Sequence, residues 1–241
     1  MAAPRKRVRD ADASRARVFA AAAEEFAAHG FDGAKVDRIA ERAGVNKAML
    51  YYHYTDKAAL YSAVVGDMFS SVAVQLRALR AAGGSPDVQL RGFIDTIARE
   101  GQLRPHFPGM WLRELAAGGV NLAARNVGDI ASIIGTLAEI LKDGEAAGRF
   151  NRMPPFLVQM GIVGPLFLFL ATGPMRQRLS SQMPVPRADI PTDVFIDYVK
   201  RMTFGALGAP SDSSNANEQQ AVVAPTRRRA GTRVSSKAGK R

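Results

Sequence analysis

Apolar side chains recur at helical spacing along most of this chain, and no stretch alternates apolar and polar residues as a half-buried strand would. The clearest pattern runs over residues 36–57. Val36, Ile39, Ala40 and Ala43 fall at i, i+3, i+4 and i+7, which makes one apolar face on a short helix. Gly44 suits the left-handed exit from that helix, and Asn46 offers a side-chain oxygen to cap another. In this next helix Leu50 and Tyr54 share one side, while Lys47, Ala48, Tyr51, Tyr52 and His53 include the residues left for the outside. Two short helices joined by a tight glycine-containing turn form a helix-turn-helix, whose second member lies in the DNA major groove.

Around this unit the pattern predicts further helices. Residues 13–29 place Val18, Ala22 and Phe26 on one face and end at Gly30, closing a three-helix core with Phe31 and Val36. Thr55 or Asp56 caps a long fourth helix striped by Leu60, Val64, Met68, Val72, Leu76 and Leu79, roughly 35–40 Å in length and ended by Gly83-Gly84. Ser85-Pro86-Asp87 starts another helix, with Leu90, Phe93, Ile94 and Ile97 in register. A short helix around Met110, Trp111, Leu112 and Leu115 follows Pro105 and Pro108. Residues 121–147 carry an amphipathic stripe of Val127, Ile130, Ile134, Leu137 and Leu141. Residues 156–171 are apolar almost all round, so that helix needs cover on every side, from its own subunit and from a partner. A proline-rich loop over 174–191 and a last helix over 192–207, with Phe195, Tyr198, Val199 and Met202 on one face, complete the ordered chain.

Charge changes this picture at the two ends only. Of the formal +11, residues 1–9 hold +4 through Arg5, Lys6, Arg7 and Arg9, and residues 209–241 hold +5, which leaves about +2 for the middle. Residues 1–12 read as a flexible basic arm and 209–241, rich in Ser, Asn, Gln and Arg, as a disordered basic tail with salt-sensitive affinity for phosphates. Residues 10–60 carry seven basic against eight acidic side chains, so any hold of the helix-turn-helix on DNA rests on placed contacts more than on bulk charge.

Chemistry of other kinds finds little footing. The chain has no cysteine, hence no disulfide, thiol nucleophile or thiolate metal site. His29, His53 and His106 lie far apart, and no H-E-x-x-H, G-x-S-x-G or phosphate-loop motif is present, so neither an enzyme, a metal nor a cofactor is expected. The longest apolar run, 160–171, is shorter than the ~20 residues of a membrane span. Glu24 and Glu25 interrupt the Ala-rich N-terminal segment, which argues against a signal peptide; the expected location is cytoplasmic, without membrane association.

With these residues in view, 14–65 resembles the DNA-binding domain of the tetracycline-repressor (TetR) family of bacterial transcription regulators. Phe26 and Gly30-Phe31, Val36-Asp37-Arg38-Ile39-Ala40, Ala43-Gly44-Val45, Leu50-Tyr51-Tyr52-His53-Tyr54, Lys57 and Leu60 carry the resemblance. Two positions depart from it. Ala34-Lys35 stand where the family has hydroxyl residues, so Lys35 would supply a phosphate contact in their place, and Ala48-Met49 replace a small residue of the recognition helix. The resemblance implies an all-α fold, with a three-helix head over 13–57 joined by the long fourth helix to a ligand-binding and dimerisation body over 58–208. It also implies double-stranded DNA contacts from Lys35, Asn46, Lys47, Ala48, Tyr51, Tyr52, His53 and Lys57, and a homodimer paired through helices near 155–171 and 192–207. An inducer cavity for an unidentified small molecule would draw on Phe93, Ile97, His106, Phe107, Met110, Trp111 and Met160, with Arg113 as a further polar candidate. The function so implied is a homodimeric repressor released from a near-palindromic operator by its ligand. A regulator acting as activator, or a nonspecific nucleic-acid-coating protein driven by the basic ends, are the alternatives.

Overall fold

The computed structural model describes residues 4–182 and 190–208, with side chains from residue 10 onward; the expected basic tail and the side chains of Arg5, Lys6, Arg7 and Arg9 lie outside the described residues. The described residues form ten α-helices and no strand: α1 Pro4–Gly33, α2 Val36–Ala43, α3 Lys47–His53, α4 Lys57–Ala82, α5 Pro86–Leu103, α6 Phe107–Ala116, α7 Ala124–Ala146, α8 Pro155–Ala171, α9 Gly173–Gln182 and α10 Thr192–Ala206.

Two expectations are corrected. Helix α1 begins at Pro4, where an irregular arm was expected. Proline fits the first helical turn, and Arg, Lys and Ala are good helix formers, so these turns need no apolar period to be helical. Half of the expected proline-rich loop is α9, because Met175 to Gln182 contains no proline and only Pro174 sits in its first turn; residues 183–189 lie outside the described residues.

The head is α1 to α3. Val18, Ala22 and Phe26 of α1, Ile39 and Ala40 of α2, Leu50 of α3 and Tyr54 just beyond it are buried together. Gly30 (φ 68°, ψ −175°) breaks α1 at the expected position and turns the chain toward α2. Arg42 of α2 pairs with Glu24 of α1 at 2.6 Å, and Arg17 Nε of α1 donates to the Ala43 carbonyl at 3.1 Å.

Asp56 Oδ1 caps α4 by accepting from Ala59 N at 2.7 Å. By its length and composition α4 is also apolar enough to cross a membrane. Here its Leu60 and Tyr61 pack under the head, while Val64, Met68, Val72 and Leu76 enter the body core against α5 and α7. Phe26 meets Tyr61 edge-on at 4.9 Å and Phe31 meets it at 5.1 Å. The Tyr61 hydroxyl donates to Glu114 Oε2 of α6 at 2.8 Å, and Glu114 Oε1 accepts from Asn121 N at 2.8 Å, so the buried carboxylate is satisfied and joins α4, α6 and the loop to α7. Burial first, then this hydrogen bond, pushes the Tyr61 phenol up.

A second buried carboxylate ties α5 to α4. Glu100 accepts from Gln75 at 2.6 Å and from Arg104 at 2.5 Å. Burial pushes this carboxyl up, yet the hydrogen bonds from Gln75, Ser71 and Arg104 and the Arg104 charge outweigh it and hold the group below its ordinary 4.5. Glu100 therefore binds its proton more weakly in the folded chain than in the unfolded one. Its stabilisation is complete above pH 4.5 and is lost as the pH falls through the depressed folded value. Glu100→Gln is expected to lower stability at neutral pH by about 1–3 kcal/mol and to flatten the acid loss below pH 4.5. Thermal melts of both proteins across that range check this; parallel curves would refute it.

Candidate DNA interface and body cavity

The turn between α2 and α3 follows from two residues. Gly44 (φ 63°, ψ 39°) takes the left-handed conformation, its N–H closing on the last carbonyls of α2, and Asn46 Oδ1 accepts from Met49 N at 2.7 Å to open α3. With Leu50 buried, the register of α3 turns Lys47, Ala48, Tyr51 and Tyr52 outward. Tyr52 is 76% and Tyr51 46% exposed, so neither packs the head core.

The other candidates are differently held. Lys47 pairs with Asp37 at 2.6 Å, and that hydrogen bond and charge keep its ammonium above the ordinary 10.5. His53 Nε2 lies 2.7 Å from Ser14 Oγ, which anchors the end of α3 to α1. Lys57 Nζ donates to the Asp32 carbonyl at 3.2 Å and lies 4.9 Å from the Phe31 ring centroid, so its charge is fixed beside the first turn of α4. Lys35 is exposed at the start of α2, its own N–H bonded to Glu25. Asn46 spends its side-chain oxygen on the cap. Met49 is exposed beside Tyr52 on the same outer surface.

In the body, a cavity of about 310 Å³ lies between α4, α5, α6, α7 and α8. Of the residues proposed for it, Ile97, Trp111 and Met160 line it. Phe93, Phe107 and Met110 do not: they are buried core, with Phe107 edge-on to Phe69 at 5.2 Å and to Phe167 at 5.7 Å. His106 is exposed at the start of α6 and does not line it, and Arg113 turns away to donate to the Ala27 carbonyl of α1. The sequence reading missed Gln159, whose Oε1 is buried without a hydrogen-bond partner. Its only signal was a polar residue inside an apolar run.

Faces of α8 and α10 remain open. Val158, Ile162 and Leu166 of α8 are buried, but Leu157, Met160 and Leu168 are exposed; on α10 Val199 is buried, and Val194, Tyr198 and Met202 are exposed. Phe169 of α8 stacks on Phe195 of α10 at 4.0 Å, which sets the two helices side by side.

A capped helix-turn-helix thus stands at the head of an all-helical body. Residues 18–64 match the family model described as bacterial regulatory proteins, tetR family. It is similar to the HTH-type transcriptional repressor SCO4008 of Streptomyces coelicolor, 37% identical over 37% of this chain and 43% of that protein, so this match spans less than half of the relative. The HTH-type transcriptional regulator RutR of Escherichia coli O157:H7 is 27% identical over 62% of this chain and 70% of its own. Among solved structures, a TetR family transcription regulator from Marinobacter aquaeolei VT8 shares the fold, with a TM-score of 0.65 at 24% identity over 85% of this chain and all of that one.

Proposed function

We propose that the protein is a homodimeric transcriptional repressor that binds a near-palindromic operator in double-stranded DNA and is released from it by a small molecule. Residues 13–57 form the DNA-binding part and 58–208 the ligand-binding and dimerisation part, acting in the cytoplasm. The observation that carries the reading is the outer face of α3, where Tyr51 and Tyr52 are exposed beside Lys47 and the charge of Lys57 is fixed nearby. Phosphate and base-edge contacts need side chains presented in this way. The repressor role follows the name of the Streptomyces relative.

The apolar surface left on α8 and α10 supports pairing about a two-fold axis, which sets the two α3 helices against half-sites about 34–36 Å or a multiple apart. Helix α6 supports the release step. Its Trp111 and Leu115 face the cavity, while its Arg113 holds the Ala27 carbonyl of the head. A ligand that favours one setting of α6 lowers operator affinity by no more than its differential affinity for the two states.

Footprinting on the DNA upstream of the gene tests the reading together with Leu168→Asp. Wild type is expected to protect two inverted half-sites and to sediment as a dimer. Leu168, 56% exposed, should yield a monomer without a footprint when it is replaced by Asp. A monomeric wild type, or an unsymmetrical footprint, would overturn the dimeric reading.

A further inference from the structure

The wall of the body cavity is apolar to an unusual degree. Met68 and Phe69 of α4, Ile130 and Ile134 of α7 and Val163 of α8 are typical of it, and no lining residue among the described ones carries a charge. Polar side-chain atoms come only from the Trp111 indole and the Gln159 carboxamide. An ionised ligand entering this space would lose its water and find no counter-charge, which excludes carboxylates, phosphates and ammonium groups. A volume of about 310 Å³ is at the small end of ligand sites, which run from about 300 to 1,000 Å³.

Gln159 narrows the chemistry further. Its Oε1 is a buried acceptor with no partner, a state that native structures rarely leave unexplained. The terminal amide torsion is broad and soft, so the carboxamide can turn to present its polar atoms to a bound molecule. Ketones and esters only accept and would leave Oε1 unpaired. A hydroxyl donates to the oxygen and accepts from the nitrogen, so it satisfies both. We infer that the cavity takes a neutral, largely apolar molecule carrying a hydroxyl group, with Gln159 as the residue that selects for the hydroxyl. The inference rests on the effector reading above and names the chemistry of that effector.

Trp111 is the only tryptophan in the chain and lines the cavity, so its emission reports occupancy. Titration of the full chain with 1-decanol, methyl decanoate and decanoate at neutral pH is expected to rank them in that order. The alcohol should bind about tenfold tighter than the ester, the worth of one neutral hydrogen bond, and on the order of 100-fold tighter than the carboxylate. Gln159→Leu should bind alcohol and ester equally, and Gln159→Met serves as a second variant should the first melt early. Equal binding of decanoate and decanol, no emission change with any of the three, or a hydroxyl preference that survives both substitutions would overturn the inference. The same titrations on the protein–DNA complex separate the two readings. Selective decanol binding without DNA release keeps the inference and removes the effector role; release by a charged compound, with decanol unbound, does the reverse.

Discussion

Replacing Tyr51 and Lys57 together by alanine is expected to weaken operator binding by about 100-fold or more while fold and dimer persist. Each change removes its contact from both half-sites. Even at about 0.7 kcal/mol per contact, near the low end for hydrogen bonds, four losses add to about 2.8 kcal/mol, or two decades in Kd. The two residues separate by salt dependence. Lys57 brings a charge, so Lys57→Ala should reduce the slope of log K against log salt by ~0.9 per phosphate, about 1.8 for a dimer. Tyr51→Ala should lower affinity and leave that slope nearly unchanged. Neither change threatens the fold. Tyr51 is half-exposed, and Lys57 gives up one carbonyl hydrogen bond and its place over Phe31, which together are worth roughly 1–2 kcal/mol. Fluorescence anisotropy on the footprinted duplex over a salt series measures both quantities. Wild-type affinity in the double variant would sink the assignment of the interface.

The head was legible because its local signals agree. The spacing of Val36, Ile39, Ala40 and Ala43, the left-handed Gly44 and the Asn46 cap each point to the same two helices, and α2 and the first turn of α3 form where they indicate. Asp56 and Ser85 likewise start α4 and α5 as capping chemistry requires. What the pattern could not give was orientation among apolar residues. Phe93, Met110 and Trp111 are all large and largely apolar, yet only Trp111 of the three reaches the cavity, because that depends on how α5 and α6 rotate against α4. The partner of His53 was hidden for a related reason. Ser14 is 39 positions away in sequence and meets it only once α1 has crossed the end of α3. Periodicity also misjudged α9, since a helix with no buried side carries no stripe.

Phe26→Ala is expected to cost about 3–5 kcal/mol, the range for a buried phenylalanine truncated in a core that cannot close over the gap. Phe26 is fully buried. Its edge contact with Tyr61 at 4.9 Å contributes about 0.5–1.5 kcal/mol of that range. Against a total of about 5–15 kcal/mol this is a large share, and at about 2–4 °C per kcal/mol for a chain of this size it lowers Tm by roughly 6–20 °C. The loss reaches beyond the head because Tyr61 belongs to α4 and donates to Glu114 in the body, so the gap loosens a ring that both parts share. A single transition shifted to lower temperature is therefore expected, and Leu103→Ala, at a position exposed on α5, should move Tm by less than the equivalent of about 0.5 kcal/mol. Circular dichroism melts and urea titrations of the two variants beside wild type measure these shifts. A Phe26→Ala loss below about 1 kcal/mol would mean that the core does close over the gap, and a new low-temperature transition confined to the head would mean that Tyr61 does not couple it to the body.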